Sequence, residues 1–122
     1  MKPLRTERLI LRNWQDGDRE LFHRINSDDR VMEFFPFRRD RAEADAMMDR
    51  LQAWIDANGY GFAAIELAAT GECIGFCGLY CDDGLHAFFP AGTVEIGWRL
   101  APEYWGKGYV SEASFAWLAF GF

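Results

Sequence analysis

Apolar and polar residues alternate near the start of the chain and then take up a helical spacing. The segment LRTERLILRNW alternates around Leu9 and Leu11, which predicts a strand ending near Arg12. Asp16 can cap a helix that runs to about Ser27, because an aspartate accepts hydrogen bonds from the free N–H groups of a first turn. The buried face of that helix contains Leu21, Phe22 and Ile25.

A longer amphipathic segment follows. A short helical turn in VMEFF is expected to end at Pro36, since the residue before a proline avoids helical geometry. A second helix is predicted from about Asp40 to Asn58, with Gly59 as its C-terminal stop. Its apolar stripe, which we interpret as core rather than as a cofactor contact, contains Met47, Leu51, Trp54 and Ile55.

The second half of the chain has the pattern of strands and ends in a helical pattern. GFAAIEL and CIGFCGLYC, joined by the turn AATGE, predict a hairpin, and TVEIGWRL predicts a further strand after the loop DDGLHAFFPAG. From Gly106 onward the chain turns into a helix through VSEASFAWLAF. The order strand, helix, helix, strand, strand, strand, helix predicts an α+β fold, in which a mostly antiparallel, mixed sheet is flanked by helices.

Composition narrows the classes of function. The chain has 122 residues, of which 50% are hydrophobic, and this suits one domain near the lower end of the usual size range. Its net charge of -6, from 13 basic and 19 acidic side chains, lacks the basic excess that binding to a phosphate backbone requires, so no nucleic-acid partner is expected. A negative surface can attract cationic amines, although solubility alone also explains it.

The apolar runs are too short for secretion or membrane insertion. The run Leu9 to Leu11 is shorter than a signal-peptide core, and no stretch approaches the roughly 18 uncharged residues of a membrane span. We therefore expect a cytoplasmic protein without a membrane partner. An odd number of cysteines in this context predicts reduced thiols.

The three cysteines have a spacing that suggests a metal site. On one strand, Cys73, Cys77 and Cys81 are expected to share a face with about 13 Å between successive positions. Thiolates on one zinc ion lie within about 4 Å of one another, so a strand cannot chelate in this way. The interpretation is structural thiols and no metal.

Other reactive or charged groups have simple explanations. His23 and His86 lie outside any HExxH spacing, and Ser111 and Ser114 lack a GxSxG elbow. The basic cluster Arg38 to Arg41 is explained better by a solvated surface beside the second helix than by phosphate binding.

The segment EYWGKGYVSEASF is the strongest candidate for a binding site. Gly106 and Gly108 leave successive N–H groups unshielded by a Cβ atom, and a helix begins directly after them. N–H groups at a helix N-terminus form a site for phosphate or pyrophosphate. The segment lacks the GxxxxGK[ST] pattern of a Walker loop, and it is not GxGxxG because Ser111 occupies the position of the third glycine. Without its context, the GKG sequence is explained equally well by an ordinary tight turn.

The wider segment VEIGWRLAPEYWGKGYVSEA, residues 94–113, resembles the acyl-CoA signature of the GNAT superfamily of N-acetyltransferases, in its branch of ribosomal-protein N-terminal acetyltransferases. The Glu-Ile-Gly-aromatic strand, the Leu-x-Pro, the Trp-Gly-Lys-Gly-Tyr loop and the Glu-Ala helix start carry the resemblance. LRTERLILR resembles that branch's first strand, and IGFCGL its third. Val110 departs from the superfamily pattern, which usually has glycine or alanine there.

The resemblance implies direct transfer of an acetyl group from acetyl-CoA to a primary amine, without a metal. The pyrophosphate is expected on the backbone N–H groups of Trp105, Gly106, Lys107, Gly108, Tyr109 and Val110. The pantetheine is expected to run like an added strand beside Trp98, Arg99 and Leu100. An N–H group near Arg99 would then polarise the thioester carbonyl.

The acceptor amine must lose a proton before it attacks. An α-amine is neutral in about one molecule in seven at pH 7 and a lysine in about one in 2,500, which favours a protein N-terminus. The resemblance also allows a small amine as acceptor. Glu95, which shares a strand face with Gly97 and Arg99, matches a family position that often has an acidic base. A surface carboxylate explains Glu95 equally well. The segments Asp28 to Arg41 and Asp82 to Gly92 are candidates for lining the acceptor side.

Family members usually continue beyond the last helix. The expectation is therefore that residues 1–122 form a single N-acetyltransferase domain that is the N-terminal part of the usual one, about two thirds of it, truncated after the helix of the pyrophosphate loop. An unpaired strand edge and an apolar surface then predict self-association, such as a homodimer, or instability. That surface comprises Phe115, Trp117, Leu118 and Phe120. The alternative to an enzyme is a non-catalytic CoA-binding or interaction fragment.

Overall fold

The strands form one sheet in which every described ladder is antiparallel. The computed structural model describes residues 1–81 and 94–121, apart from the side chain of Cys81. Its strands lie in the order β1-β2-β3-β4-β5. They are β1 (Leu4–Arg5), β2 (Leu9–Arg12), β3 (Phe62–Leu67), β4 (Cys73–Cys81) and β5 (Val94–Leu100). Within these two ranges β5 pairs only with β4, so its other edge is free.

Three α-helices flank the sheet, which confirms the predicted α+β class. They are α1 (Arg19–Ser27), α2 (Arg41–Asn58) and α3 (Tyr109–Gly121). Short 3-10 turns at Asp16–Asp18 and Pro102–Tyr104 precede α1 and α3. None of the three described helices combines the length and the hydropathy of a membrane span. The predicted loop DDGLHAFFPAG, with His86, lies outside the described residues.

The N-terminal region differs from its prediction in two details. The predicted first strand is β2, and β1 is an additional two-residue strand that pairs with it. The predicted cap at Asp16 is wrong, because Asp16 is the first residue of the 3-10 turn. The carboxylate of Asp18 accepts the hydrogen bond from the Gln15 N–H at 2.8 Å instead. Asp18 is available for this role because its ion pair with Arg12 holds it in the interior.

Helix α2 has the ends that the sequence predicts. The Asp40 side chain accepts the Glu43 N–H at 2.8 Å, and the Glu43 carboxylate accepts the Asp40 N–H at 3.1 Å. Gly59 ends the helix in the left-handed conformation, with φ of 79°. The apolar stripe packs against the core as predicted, although its fully buried members are Ala44, Met48 and Ile55. The short helical turn expected in VMEFF is not formed as a helix. The segment instead has two isolated backbone hydrogen bonds of 2.9 Å, from the Met32 N–H to the Asp28 carbonyl and from the Phe35 N–H to the Met32 carbonyl.

The two faces of the sheet pack against different helices. The ring of Phe76 on β4 packs against Phe22 of α1, with 6.3 Å between the ring centroids. Its neighbour Cys77 faces α3, where Ser114 Oγ lies 3.8 Å from the thiol and the Trp117 indole N–H donates to the Cys77 carbonyl at 2.8 Å. Trp117 is therefore buried, and its predicted place in an exposed apolar surface is wrong. The other three members of that surface, Phe115, Leu118 and Phe120, are exposed.

A β-bulge in β4 changes the expected placement of the cysteines. Glu66 pairs with Cys73 whereas its neighbour Ile65 pairs with Gly75, so Ile74 is an extra residue. The bulge reverses the faces to which the side chains of β4 point on either side of it. Cys73 therefore lies beside Asp18 on the α1 side, while Cys77 faces α3. The expectation of a shared face is thus wrong for Cys73 and Cys77. Burial raises the pKa of Cys73 to about 12 and that of Cys77 to about 11, so both thiols stay protonated at neutral pH.

Candidate functional site

The loop between β5 and α3 turns back at two glycines. The φ angle is 75° at Gly106 and 80° at Gly108, in the left-handed region that side chains with a Cβ atom avoid. A Cβ atom at Gly106 would meet nothing within 4 Å, and one at Gly108 only the Arg8 guanidinium at 3.5 Å. The backbone conformation, rather than crowding, therefore favours glycine here.

Helix α3 begins with a series of free donors. Its first hydrogen bond runs from the Glu112 N–H to the Gly108 carbonyl at 3.0 Å. The N–H groups of residues 106–111 have no acceptor within ranges 1–81 and 94–121. Successive donors at the positive end of a helix dipole form an anion site.

Side chains from the start of the chain hold this loop from behind. The Glu112 carboxylate accepts the Arg8 N–H at 2.9 Å, the Arg8 Nε–H at 2.7 Å and the Thr6 hydroxyl. Arg8 also donates to the Lys107 carbonyl at 3.0 Å and stacks on the Tyr109 ring at 4.5 Å. The positive charge of Arg8 is thus neutralised by Glu112, and the pair fixes the loop rather than adding charge to it. Sequence analysis missed this contact, because about a hundred residues separate its partners and no local pattern marks it.

A cleft of about 490 Å³ lies between this loop, the end of β5 and the segment after α1. It brings together all the predicted cofactor residues except Lys107, whose side chain is exposed. Val31, Phe35 and Ser111 line the same cleft and were not assigned to it from the sequence. The lining residues of β5 and the loop are Trp98, Arg99, Leu100, Trp105, Gly106, Gly108, Tyr109, Val110 and Ser111.

The free edge of β5 offers its own backbone donors to the cleft. The Ala101 N–H donates to the Ile74 carbonyl at 2.9 Å, so the alternation of an antiparallel ladder directs the Arg99 N–H towards β4 as well. The N–H groups of Trp98 and Leu100 then point to the free edge. The Leu100 carbonyl on that edge accepts the Trp105 indole N–H at 2.8 Å. The free donors near the predicted position belong to Trp98 and Leu100, and not to Arg99 itself.

The Arg99 side chain turns to the face that α1 and α2 cover. It lies opposite Phe76 and donates to Asn26 Oδ1 at 2.8 Å. Arg39 donates to the same oxygen at 3.0 Å. The Asn26 side chain is fully buried and is fixed by its own bond from Nδ2 to the Phe22 carbonyl, at 2.8 Å.

The basic cluster Arg38 to Arg41 therefore divides into two kinds of side chain. Arg38 pairs with Asp29 at 3.1 Å and Arg41 with Asp45 at 3.0 Å, and both are exposed as the sequence predicts. The prediction is wrong for Arg39, which turns inward. Nothing local to the cluster distinguishes Arg39, because its partner Asn26 comes from α1.

The proposed base lies at the other end of β5. Glu95 is exposed and pairs in register with Tyr80, on the face that also carries Gly97 and Arg99, as predicted. It does not line the cleft beside the loop. Four residues of strand place it about 13 Å from Arg99.

Known proteins are similar to this chain in sequence. The family model described as acetyltransferase (GNAT) domain matches residues 8–122. The uncharacterized N-acetyltransferase p20 of Bacillus licheniformis is 32% identical over 128 residues, which cover 100% of this chain and 67% of p20. The uncharacterized protein YkkB of Bacillus subtilis is 31% identical over 96% of this chain and 66% of its own length.

A solved structure has the same fold. The acetyltransferase (GNAT family) from Bacillus anthracis superposes with a TM-score of 0.78 at 28% identity, over 98% of this chain and 66% of that one. The chain thus spans about two thirds of the length of the relatives that it matches.

Proposed function

Because the chain belongs to the GNAT acetyltransferase family, we propose that it binds acetyl-CoA in the cleft beside β5 and transfers the acetyl group to a primary amine. The observation that carries the proposal is the meeting of two sets of free backbone donors in one cleft. The N–H groups of residues 106–111 suit a pyrophosphate, and the free edge of β5 suits an extended pantetheine amide chain. GNAT acetyltransferases use acetyl-CoA, which supplies the acetyl group as a thioester.

The residues of the chain bind and orient the two substrates. Gly106 and Gly108 direct the loop N–H groups into the cleft, and the contact between Arg8 and Glu112 keeps that loop in place. The free N–H of Trp98 or of Leu100 is the donor that stabilises developing negative charge on a carbonyl oxygen at the strand edge. No metal enters this scheme.

Glu95 is the proposed acceptor of the amine proton, directly or through water. Its support is its place on the same strand face as Gly97 and Arg99, exposed to an incoming amine. We expect Glu95→Gln to lower turnover most at low pH, where fewer amines are already neutral. Turnover that stays the same as wild type from about pH 6 to about pH 9 would remove Glu95 from the mechanism.

The acceptor class that we propose is a protein N-terminal α-amine or a small amine, as in the ribosomal-protein branch. The support is the motif of residues 94–113 together with the lower pKa of an α-amine compared with that of a lysine. Segment 28–41 supplies Val31 and Phe35 to the cleft, which supports its place on the acceptor side.

Two measurements test the proposal. Calorimetry should show binding of acetyl-CoA, and Gly106→Ala should weaken it because alanine opposes the left-handed conformation of the loop. Release of free thiol should then follow the addition of α-amine peptides. Absence of acetyl-CoA binding would contradict the proposal, whereas binding without turnover would favour the alternative of a non-catalytic CoA-binding fragment.

A further inference from the structure

Arg39 and Arg99 are exceptional among the arginines of this chain. Seven of the 11 arginines form an ion pair within 4.0 Å. Of the remaining four, Arg5 and Arg50 are exposed to water, and Arg39 and Arg99 are partly buried. In the described part of the chain, Arg39 and Arg99 are thus the only shielded arginines without an ion pair.

The only side-chain oxygen that these two arginines share is neutral. Both donate to Asn26 Oδ1, at 3.0 and 2.8 Å, and an amide oxygen has no charge to balance theirs. Each guanidinium has five N–H donors, so most of their donors remain available. Glu43 acts on Arg39 only from a distance, and its carboxylate already accepts the Asp40 N–H.

The two charges also oppose each other. Burial lowers the pKa of Arg99, and the charge of Arg39 lowers it further. Burial lowers the pKa of Arg39 as well, and Arg50 adds to this effect. Arginine remains protonated in proteins, so two positive charges are held side by side with no ion-pair partner among residues 1–81 and 94–121. A bound anion would remove the repulsion and use the free donors.

Arg99 lines the cleft, and Arg39 lies beside it on the shared Asn26 oxygen. Arg99 lines the cleft together with Phe35, whose ring centre is 4.6 Å from the guanidinium carbon. Arg39 stacks in the same way on Phe37, at 4.5 Å. Aromatic rings cover the flat faces of both guanidinium groups and leave the N–H edges for a planar anion.

The position of the pair separates it from the phosphate-binding loop. Arg99 lies opposite Phe76, on the face of the sheet that α1 and α2 cover, whereas α3, which carries the loop N–H groups, packs on the other face. The cleft therefore has two sets of hydrogen-bond donors of different construction at or beside it. One consists of backbone donors and the other of two arginines.

We propose that Arg39 and Arg99 bind a carboxylate of the acceptor, so that the preferred acceptor is an amine with an acidic group near it, such as a peptide with aspartate or glutamate at its N-terminus. This inference rests on the proposed acetyl transfer. The overall charge of -6 opposes an acidic acceptor at long range, so its recognition requires a local cationic site. The arginine pair supplies one.

The first test needs no catalytic activity. The arginine Nε–H signals of the isotope-labelled protein are followed by NMR during titration with a tripeptide amide that begins with aspartate, and with its asparagine counterpart. The signals of Arg39 and Arg99 should shift with the aspartate peptide and much less with the asparagine peptide. Arg24, which is exposed on α1 and paired with Glu103, is the internal control. Equal shifts with both peptides would overturn the inference.

The second test is kinetic. With acetyl-CoA as donor, we expect kcat/KM for the aspartate peptide to exceed that for the asparagine peptide by about tenfold or more, as for hydrogen bonds to a charged group. Arg39→Gln and Arg99→Gln should each reduce this ratio towards one, and Arg24→Gln, at an exposed position of α1, should preserve it. A second peptide pair with the acidic residue at position two locates the carboxylate relative to the amine.

A phosphate of CoA is the other source of negative charge for the same site. In that case Arg39→Gln would weaken acetyl-CoA binding in calorimetry and leave the preference between the peptides unchanged, which would overturn the inference. Failure of the proposed function has a different signature, since acetyl-CoA would then bind to no variant while the arginine signals still report on the peptides.

Discussion

Arg12 and the pair formed by Arg39 and Arg99 lie beside α1, and the charges around them differ. Arg12 donates to Asp18 at 2.8 Å and to Glu66 at 2.8 Å, and these partners raise its pKa despite burial. Arg39 and Arg99 instead share one neutral oxygen of Asn26, and their pKa values are lowered. Carboxylates pair with Arg12, whereas Arg39 and Arg99 have no carboxylate partner in the part of the chain that the structure describes.

The difference separates a structural role from the binding role that we propose. Arg12 links β2 and β3 to the turn before α1, and its positive charge is met by two carboxylates of the fold. The other two arginines have free donors and line or adjoin the cleft. Charge balance, rather than burial alone, therefore distinguishes the two groups.

The largest expected effect comes from removing the fully paired arginine. Arg12→Met leaves the carboxylates of Asp18 and Glu66 without their cation and should lower the free energy of unfolding by about 3–5 kcal/mol. Arg99→Met should change it by about 1 kcal/mol or less, because Asn26 keeps its bond from Arg39 and a like charge is removed. Urea denaturation of both variants, with comparison of their m-values, measures the difference. Equal losses would contradict the separation of roles.

Local signals explain why much of the fold could be predicted from the sequence. The ends of α2 depend on Asp40, Glu43 and Gly59, which lie within a few residues of the helix termini that they stabilise. The glycine loop was likewise predicted from a short motif, and the left-handed conformation at Gly106 and Gly108 gives that motif its physical reason.

Contacts between distant segments explain the predictions that were wrong. Trp117 is buried because its indole reaches the Cys77 carbonyl, 40 residues away. The inward turn of Arg39 depends on Asn26 and Arg99, which is 73 residues from Asn26. The bulge at Ile74 depends on the register with β3, which amino-acid spacing does not reveal.

The glycine loop has free donors on its backbone rather than on side chains, and a substitution there should have an intermediate effect on stability. Its N–H groups resemble Arg39 and Arg99 in having unused donors, so a change there should affect binding more than folding. Gly106→Ala should cost about 1–2 kcal/mol in unfolding free energy, because alanine avoids a φ of 75°. It should also weaken acetyl-CoA binding without altering the preference between the two peptides.

Gly17→Ala is the matched control for the glycine loop. Gly17 lies in the 3-10 turn before α1, has no positive φ, and a Cβ atom there would meet nothing within 4 Å. Thermal unfolding should therefore show little change, and acetyl-CoA binding should remain at the wild-type level. Equal losses of binding in the two alanine variants would show that acetyl-CoA binding does not depend on the left-handed conformation of the loop.

The smallest expected effect on stability concerns the partly exposed ion pair of Arg8 and Glu112. Arg8 and Glu112 are paired like Arg12 and Asp18, but their side chains are 43% and 19% exposed, so solvent weakens the interaction. Glu112→Gln should lower the free energy of unfolding by about 0.2–1 kcal/mol at neutral pH, as for a surface ion pair. It should also loosen the glycine loop, since the carboxylate holds Arg8 against the Lys107 carbonyl.

The pH dependence of this variant decides whether the carboxylate charge is responsible. Burial raises the pKa of Glu112, but hydrogen bonds from Thr6 and Arg8 outweigh it, and the pKa of the folded protein lies below the ordinary value. A lowered pKa contributes stability that is fully present above the pKa of the unfolded chain and is lost as the pH falls through the folded value. The stability difference between wild type and Glu112→Gln should therefore shrink from about pH 7 to about pH 3. Urea denaturation of both proteins across this pH range measures the difference, and a constant difference would mean that shape rather than charge holds the loop.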